Sequence, residues 1–209
     1  MAIIASSSGT TYEPVEAGNY MARCVGMIHI GTVKETVMGT EKELNKVRLY
    51  FELPTELKLF REENGEQPYI LSKEFTLSLS EKANLRKFLD AWRGRSFTDA
   101  EIKGFDITVL IGVTCMLNVI HKQSKNSPPA IYAEIASVAR IPKGMECPKQ
   151  ITNTTILSYD DWDEQVFNSL PEFVREKIVK SQEYKAMNSP NAVEMTVQHE
   201  EEEDNDLPF

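Results

Sequence analysis

Gly18-Asn19-Tyr20-Met21-Ala22-Arg23-Cys24-Val25-Gly26-Met27-Ile28-His29-Ile30 alternates like a β-strand but carries a glycine in its middle. Ala22, Cys24, Ile28 and Ile30 fall on one face, and Arg23, Met27 and His29 on the other. A glycine inside a strand marks a bulge or a sharp bend. A long, bent first strand is what a small closed barrel needs.

Further strands follow outward from this one. Lys46 to Leu53 sets Val47, Leu49 and Phe51 against Lys46, Arg48 and Tyr50, and Pro54 is expected to end it. Tyr69 to Leu79 places Phe75, Leu77 and Leu79 together. Val113 to Lys122 turns Val113, Cys115, Leu117 and Val119 inward, and Ile131 to Ile141 supplies a fifth strand. Residues 31–45 and 55–68 are polar and glycine-bearing and read as loops, with Asn64-Gly65 as a turn. Between the third and fourth strands Leu85, Phe88, Leu89 and Trp92 form a helical stripe, with Ser80 as its cap and Gly94 as its stop. Thr98-Asp99 opens a shorter helical turn. The fold class expected is mainly β: a five-stranded OB-fold barrel with a helix between strands three and four. An open sheet packed on one helix has the same periodicity.

The expected organisation is a flexible arm over 1–17, the barrel over 18–142, a helical appendage over 143–187 and a disordered acidic tail over 188–209. The appendage has helices over 160–169 and 171–186, with Pro171 at a first helical position. Apolar residues make up 41% of the 209, enough for a core, and no stretch approaches a membrane span. Nor does the N-terminus read as a signal peptide. Cys24, Cys115 and Cys147 are widely spaced and read as reduced thiols of a cytoplasmic protein. With His29, His121 and His199 they form no metal spacing, so no cofactor is expected.

The net charge is −9, yet it is unevenly placed. Residues 18–150 carry 19 Lys and Arg against 16 acids, whereas the last fifteen residues carry six acids and no Lys or Arg. A mildly basic body with a segregated acidic tail points to a nucleic-acid protein. The tail ends Asp204-Asn205-Asp206-Leu207-Pro208-Phe209. A solvating tail has no use for Leu-Pro-Phe. An aromatic anchor beside a carboxylate suits a pocket with a basic rim, so Asp204, Asp206, Leu207, Pro208 and Phe209 read as a partner-docking tip.

That ending resembles the tip of bacterial single-stranded-DNA-binding proteins, a run of Asp followed by Ile-Pro-Phe. The body resembles phage-encoded proteins of the same class over roughly 12–142. The segments that carry this are Gly18 to Cys24, Lys46 to Leu53 and Leu85 to Arg95. The resemblance implies single-stranded DNA as ligand, host or phage replication and repair proteins as partners of the tail, and a bacterial cytoplasm, nucleoid or phage replication site. The region between strands three and four is longer than in the cellular proteins, and a helical segment replaces their Gly/Gln-rich linker. Both departures bear on whether the family's tetramer carries over, and homo-oligomerisation stays open.

Single-strand binders combine a basic groove with aromatic faces for stacking. Lys46, Arg48 and Tyr50 on the second strand have that composition. Arg23 and His29, Lys73 and Phe75, Lys122, Tyr132, Arg140 and Lys143 are further candidates, with Phe75 and Trp92 also suiting a core. Arg93 and Arg95, flanking Trp92, are placed to touch phosphate. No phosphate loop or nucleophile motif supports an enzyme. The acids of 160–164 fit a helix N-terminus better than a nuclease metal site. A strand-annealing mediator, a metal-dependent nuclease and an acidic mimic of nucleic acid are the competing readings.

Overall fold

The structure, a computed structural model, describes residues 13–125 and 128–189. Five strands form one curled antiparallel sheet, a half-barrel, in the order β3-β2-β1-β4-β5. They are β1 (Gly18–Val37), β2 (Thr40–Arg61), β3 (Gly65–Thr76), β4 (Thr114–Gln123) and β5 (Ile131–Ala139). A short β6 (Thr155–Leu157), inside the stretch expected as a helical appendage, pairs in parallel with β1. Helices α1 (Asn84–Arg93) and α2 (Asp99–Lys103) lie between β3 and β4 in the chain. Three short helices, α3 (Glu164–Ser169), α4 (Glu172–Val179) and α5 (Gln182–Met187), follow β6.

β1 serves two hydrophobic cores. Its pairing with β2 shifts register at Cys24/Gly26 and again at His29/Gly31. Ala22, Cys24 and Met27 belong to the inner core, while Ile28, Ile30 and Val33 belong to an outer cluster on the other side of the sheet. This corrects the single alternation expected for the strand, which put Ile28 and Ile30 with Cys24 and set Met27 opposite. A bulge inserts one residue, and a one-residue slip exchanges the faces of everything beyond it. Gly26 also sits under close neighbours, since a Cβ there would stand 3.1 Å from the Thr155 carbonyl oxygen and 3.2 Å from Tyr50 Cβ.

The inner core follows the remaining periodicities. Val47, Leu49 and Phe51 of β2 and Cys115, Leu117 and Val119 of β4 are buried against Leu85, Phe88, Leu89 and Trp92 of α1. Phe75 joins them, and the Trp92 indole N–H donates to the Thr114 carbonyl at 2.9 Å. Val113, expected inward, is exposed because it precedes the ladder. α1 begins at Asn84 after an uncapped Ala83, not at Ser80. α2 has the capping box expected of Thr98, closed by Glu101.

Both stretches read as polar loops are largely ribbon. β1 and β2 run on to a tight turn at Met38 and Gly39, both at positive φ, and β2 continues past Pro54 to Arg61. Two-residue hairpin turns require such dihedrals. Pro54 is tolerated because it lies in the register break between Leu53 and Leu57, where no ladder N–H is required of it. Their polar residues and turn signals hid them, although Val33 is buried in the outer cluster and Phe60 packs on the inner core.

The outer cluster joins Ile28, Ile30, Val33 and Leu157 to Phe167, Leu170, Val174 and Ile178 of the C-terminal helices. Pro171 stands at the N-cap of α4 and not inside it. Asp163 caps α3 by accepting from the Gln165 and Val166 N–H groups at 2.8 and 3.2 Å. Residues 13–17 of the expected arm lie on the sheet. Val15 is buried, its carbonyl accepts from His121 Nε2 at 2.8 Å, and Glu13 pairs with Lys58 at 2.8 Å. Among the described residues no helix is long and apolar enough to cross a membrane.

Candidate nucleic-acid interface

The outer face of β2, expected to be open, is covered by the C-terminal helices. Lys46 pairs with Glu35 at 2.7 Å, and Arg48 pairs with Glu74 at 2.7 Å while lying 5.1 Å from the centre of the Phe173 ring. Their side chains are only 12% and 14% exposed. Lys177 of α4 reaches the same Glu74 at 2.9 Å. Burial pushes the Glu74 carboxyl up, but hydrogen bonds from Lys177 and Arg48 outweigh it and hold it below its ordinary range. Tyr50 packs on the outer cluster, and its buried hydroxyl has no hydrogen-bond partner among the described residues.

Two carboxylates, one fully buried and one partly so, fasten this cover. Glu52, fully buried, accepts from the Ile151 N–H (2.9 Å), the Thr152 N–H (2.6 Å) and the Thr152 hydroxyl (2.5 Å). Glu183 accepts from the Thr32 N–H at 2.6 Å and its hydroxyl at 2.7 Å, and Tyr159 donates to the Ile30 carbonyl at 2.9 Å. Lifting the helices would expose the eight side chains of the outer cluster. At about 1.5–3 kcal/mol each, that costs on the order of 10–20 kcal/mol, more than a sequence-independent strand contact returns. Lys46, Arg48 and Tyr50 therefore belong to the packing of the molecule and are withdrawn from its open surface.

Several other expected contacts are also engaged within the chain. Arg23 donates to the carbonyls of Gly112 (2.7 Å) and Pro148 (2.9 Å), tying two loops together. His29 Nε2 lies 2.7 Å from Asn45 Oδ1, with its ring against Tyr159. Lys73 donates to the Ile135 carbonyl at 2.5 Å, bridging the facing edges of β3 and β5. Lys122 pairs with Glu134 at 2.8 Å beside its register partner Tyr132, which is exposed. Arg140 and Lys143 are exposed and have neither a hydrogen bond nor an ion pair among the described residues.

Arg140 lies at one end of a seam between α1 and β5, and Lys143 follows it three residues on in the chain. One cleft, about 360 Å³, has Asn84, Lys87 and Ala91 of α1 on one wall and Ala136 and Ser137 of β5 on the other. Further along the same two elements a second, about 510 Å³, is bounded by Arg93, Arg95, Arg140 and Ile141 over Trp92 and Val113. Arg93 stacks 4.1 Å above the Phe97 ring and pairs with Glu101, which also takes Arg95 at 2.7 and 3.1 Å. The Arg95 hydrogen bond is the chief reason that the Glu101 carboxyl is lowered to about 2. Two guanidinium groups on one carboxylate leave a net positive charge, to which Arg140 adds, while Lys87 shares its cleft with Lys73 and Glu74 of β3.

Lys87 was not among the sequence candidates. Its signal was present, because Lys87 and Ala91 lie one turn apart on α1 away from the apolar stripe, with Arg95 just past the Gly94 stop. Among the described residues no group of three or more His, Cys, Asp or Glu side chains is arranged to hold a metal. Asp204, Asp206, Leu207, Pro208 and Phe209 lie outside the described residues. No family model matches this chain, and no curated protein sequence matches it either.

Proposed function

We propose that this chain is a non-enzymatic binder of single-stranded DNA, built on an OB-fold barrel, that holds the strand along the α1–β5 seam. The observation that carries the reading is the set of unclaimed cations on that seam. In a chain of net charge −9, where Lys46, Arg48, Lys73 and Lys122 are all engaged internally, Arg140 has no partner among the described residues and lines one cavity with the over-subscribed Arg95, and Lys143 follows it in the chain, likewise without a partner among them. Guanidinium and ammonium groups spaced along a cleft suit successive phosphates. The partly exposed Val113 and Ile141 offer an apolar surface to bases. Exposed Tyr132 offers a stacking face at the other end of β5. The strand order and the approach of β3 to β5 support the OB-fold assignment.

Binding of this kind is sequence-tolerant and salt-sensitive. The segment Asp204–Phe209 recruits replication or repair proteins, by its resemblance to the tips of bacterial single-stranded-DNA-binding proteins. Titration with labelled oligo(dT) and with duplex of the same length, with and without Mg²⁺, tests the reading. Preference for the single strand, lost with rising salt and without cleavage, is the expected outcome. Equal affinity for duplex, or cleavage with Mg²⁺, would overturn it. Removing Phe209 alone is expected to abolish partner binding while oligo(dT) affinity is kept.

A further inference from the structure

α1 closes at Gly94, whose left-handed backbone (φ 65°) returns its N–H to the Asp90 carbonyl. Glycine is favoured there because it lacks the Cβ penalty of that conformation. A second constraint acts at the same atom. A Cβ built on Gly94 would overlap Arg140 Cδ and stand 3.2 Å from Arg140 Cγ. The aliphatic stem of Arg140 thus lies directly across the end of the helix. Its guanidinium lines the same cavity as Arg95 and is the one that no carboxylate among the described residues claims.

A cation at a helix C-terminus complements the dipole, and that alone would account for an arginine nearby. It does not account for a stem laid where only a missing side chain leaves room. We propose that Gly94 is a positioning residue, a notch that seats the Arg140 stem so that Arg140 and Arg95 together receive one phosphate of the bound strand. This inference rests on the seam being the nucleic-acid site. The notch fixes the approach of a long side chain that would otherwise lose rotamer freedom on binding.

The test is a double-mutant cycle on the full chain: Gly94→Ala, Arg140→Ala and the pair, read by melting temperature and by oligo(dT) affinity across a salt series. Gly94→Asn serves as a second probe, because asparagine accepts the left-handed backbone yet carries the obstructing Cβ. Arg140→Ala is expected to weaken binding about tenfold and to lower the salt slope by about one. Gly94→Ala and Gly94→Asn should reproduce most of that loss, and neither should weaken binding further once Arg140 is alanine. Gly94→Ala should also lower the melting temperature less in the Arg140→Ala background, where the overlap is gone. If Arg140→Ala weakens binding and the Gly94 variants do not, the notch is refuted and the seam stands. If Arg140→Ala leaves affinity unchanged, the seam reading itself fails.

Discussion

Lys46 and Arg48 on β2 and Arg140 beyond β5 are the same kind of residue on the same curled sheet, the first two on its outer face and the third beside the end of α1, and they meet opposite fates. Beside β2, the bulged part of β1 presents Ile28 and Ile30 outward, and the C-terminal helices cover them. The neighbouring cations are buried with that apolar patch and acquire Glu35, Glu74 and Phe173 as partners. Beside Arg140 the cavity offers Val113 and Ile141 as its solvent-reaching apolar side chains, a smaller patch than the one that Ile28, Ile30 and Val33 present to the helices. A charged face is therefore open or closed according to the apolar surface that lies next to it. Alternation within one strand does not contain that information.

The largest expected effect that separates the two surfaces is on stability. Glu52→Ala leaves the Ile151 and Thr152 N–H groups and the Thr152 hydroxyl without an acceptor beneath the cover. The loss should be on the order of 3 kcal/mol, read by denaturant titration. A loss below about 0.5 kcal/mol, the range of ordinary surface changes, would mean that the appendage is not fastened there. Arg48→Ala comes next. It should cost about 1–3 kcal/mol, because Glu74 loses a partner at a mostly buried site, while oligo(dT) affinity stays within about twofold.

Acid should release the outer cluster before the inner one. Burial pushes Glu74 and Glu183 up, but the hydrogen bonds from Lys177 and Arg48, and from Thr32, bring both below the ordinary value of 4.5. A carboxylate with a depressed pKa in the folded state contributes stability that is complete above its unfolded value. That contribution is lost as pH falls through the folded value. The two tryptophans report separately, Trp92 from the inner core and Trp162 from the outer cluster. With Trp92→Phe and Trp162→Phe as single-tryptophan proteins, Trp162 emission should change at the higher pH as acid is added below 4.5. Coincident transitions would show that the two cores unfold as one. Tyr50→Phe should have the smallest effect, within about 0.5 kcal/mol and without change in DNA affinity, since the hydroxyl it removes has no partner among the described residues. A drop in affinity would return Tyr50 to the binding surface.

Sequence reading recovers what one element's own period encodes. Val47, Leu49 and Phe51, then Cys115, Leu117 and Val119, and the stripe of α1 are all buried as their spacing implies. It loses what depends on a second element. The face change after Gly26 needs a register count against β2, the ribbon arms carry few apolar residues among many polar ones, and β6 is three residues long. The site divides in the same way. Arg140 and Lys143 were legible as cations near the end of a strand. The cover over Lys46, Arg48 and Tyr50 was not legible, because it depends on Ile28 and Ile30 facing outward. The arginines beside Trp92 gain meaning only when α1 is laid against β5.

The most direct measurement compares two sets of substitutions for oligo(dT) affinity across a salt series. One removes the seam cations (Arg95→Ala, Arg140→Ala and Lys143→Ala together) and the other removes the covered ones (Lys46→Ala with Arg48→Ala). The seam set should weaken binding by about a hundredfold or more and lower the salt slope by about three. The covered set should lower the melting temperature and leave affinity and slope nearly unchanged. Loss of binding in the covered set, with wild-type affinity in the seam set, would contradict the account and place the strand on β2.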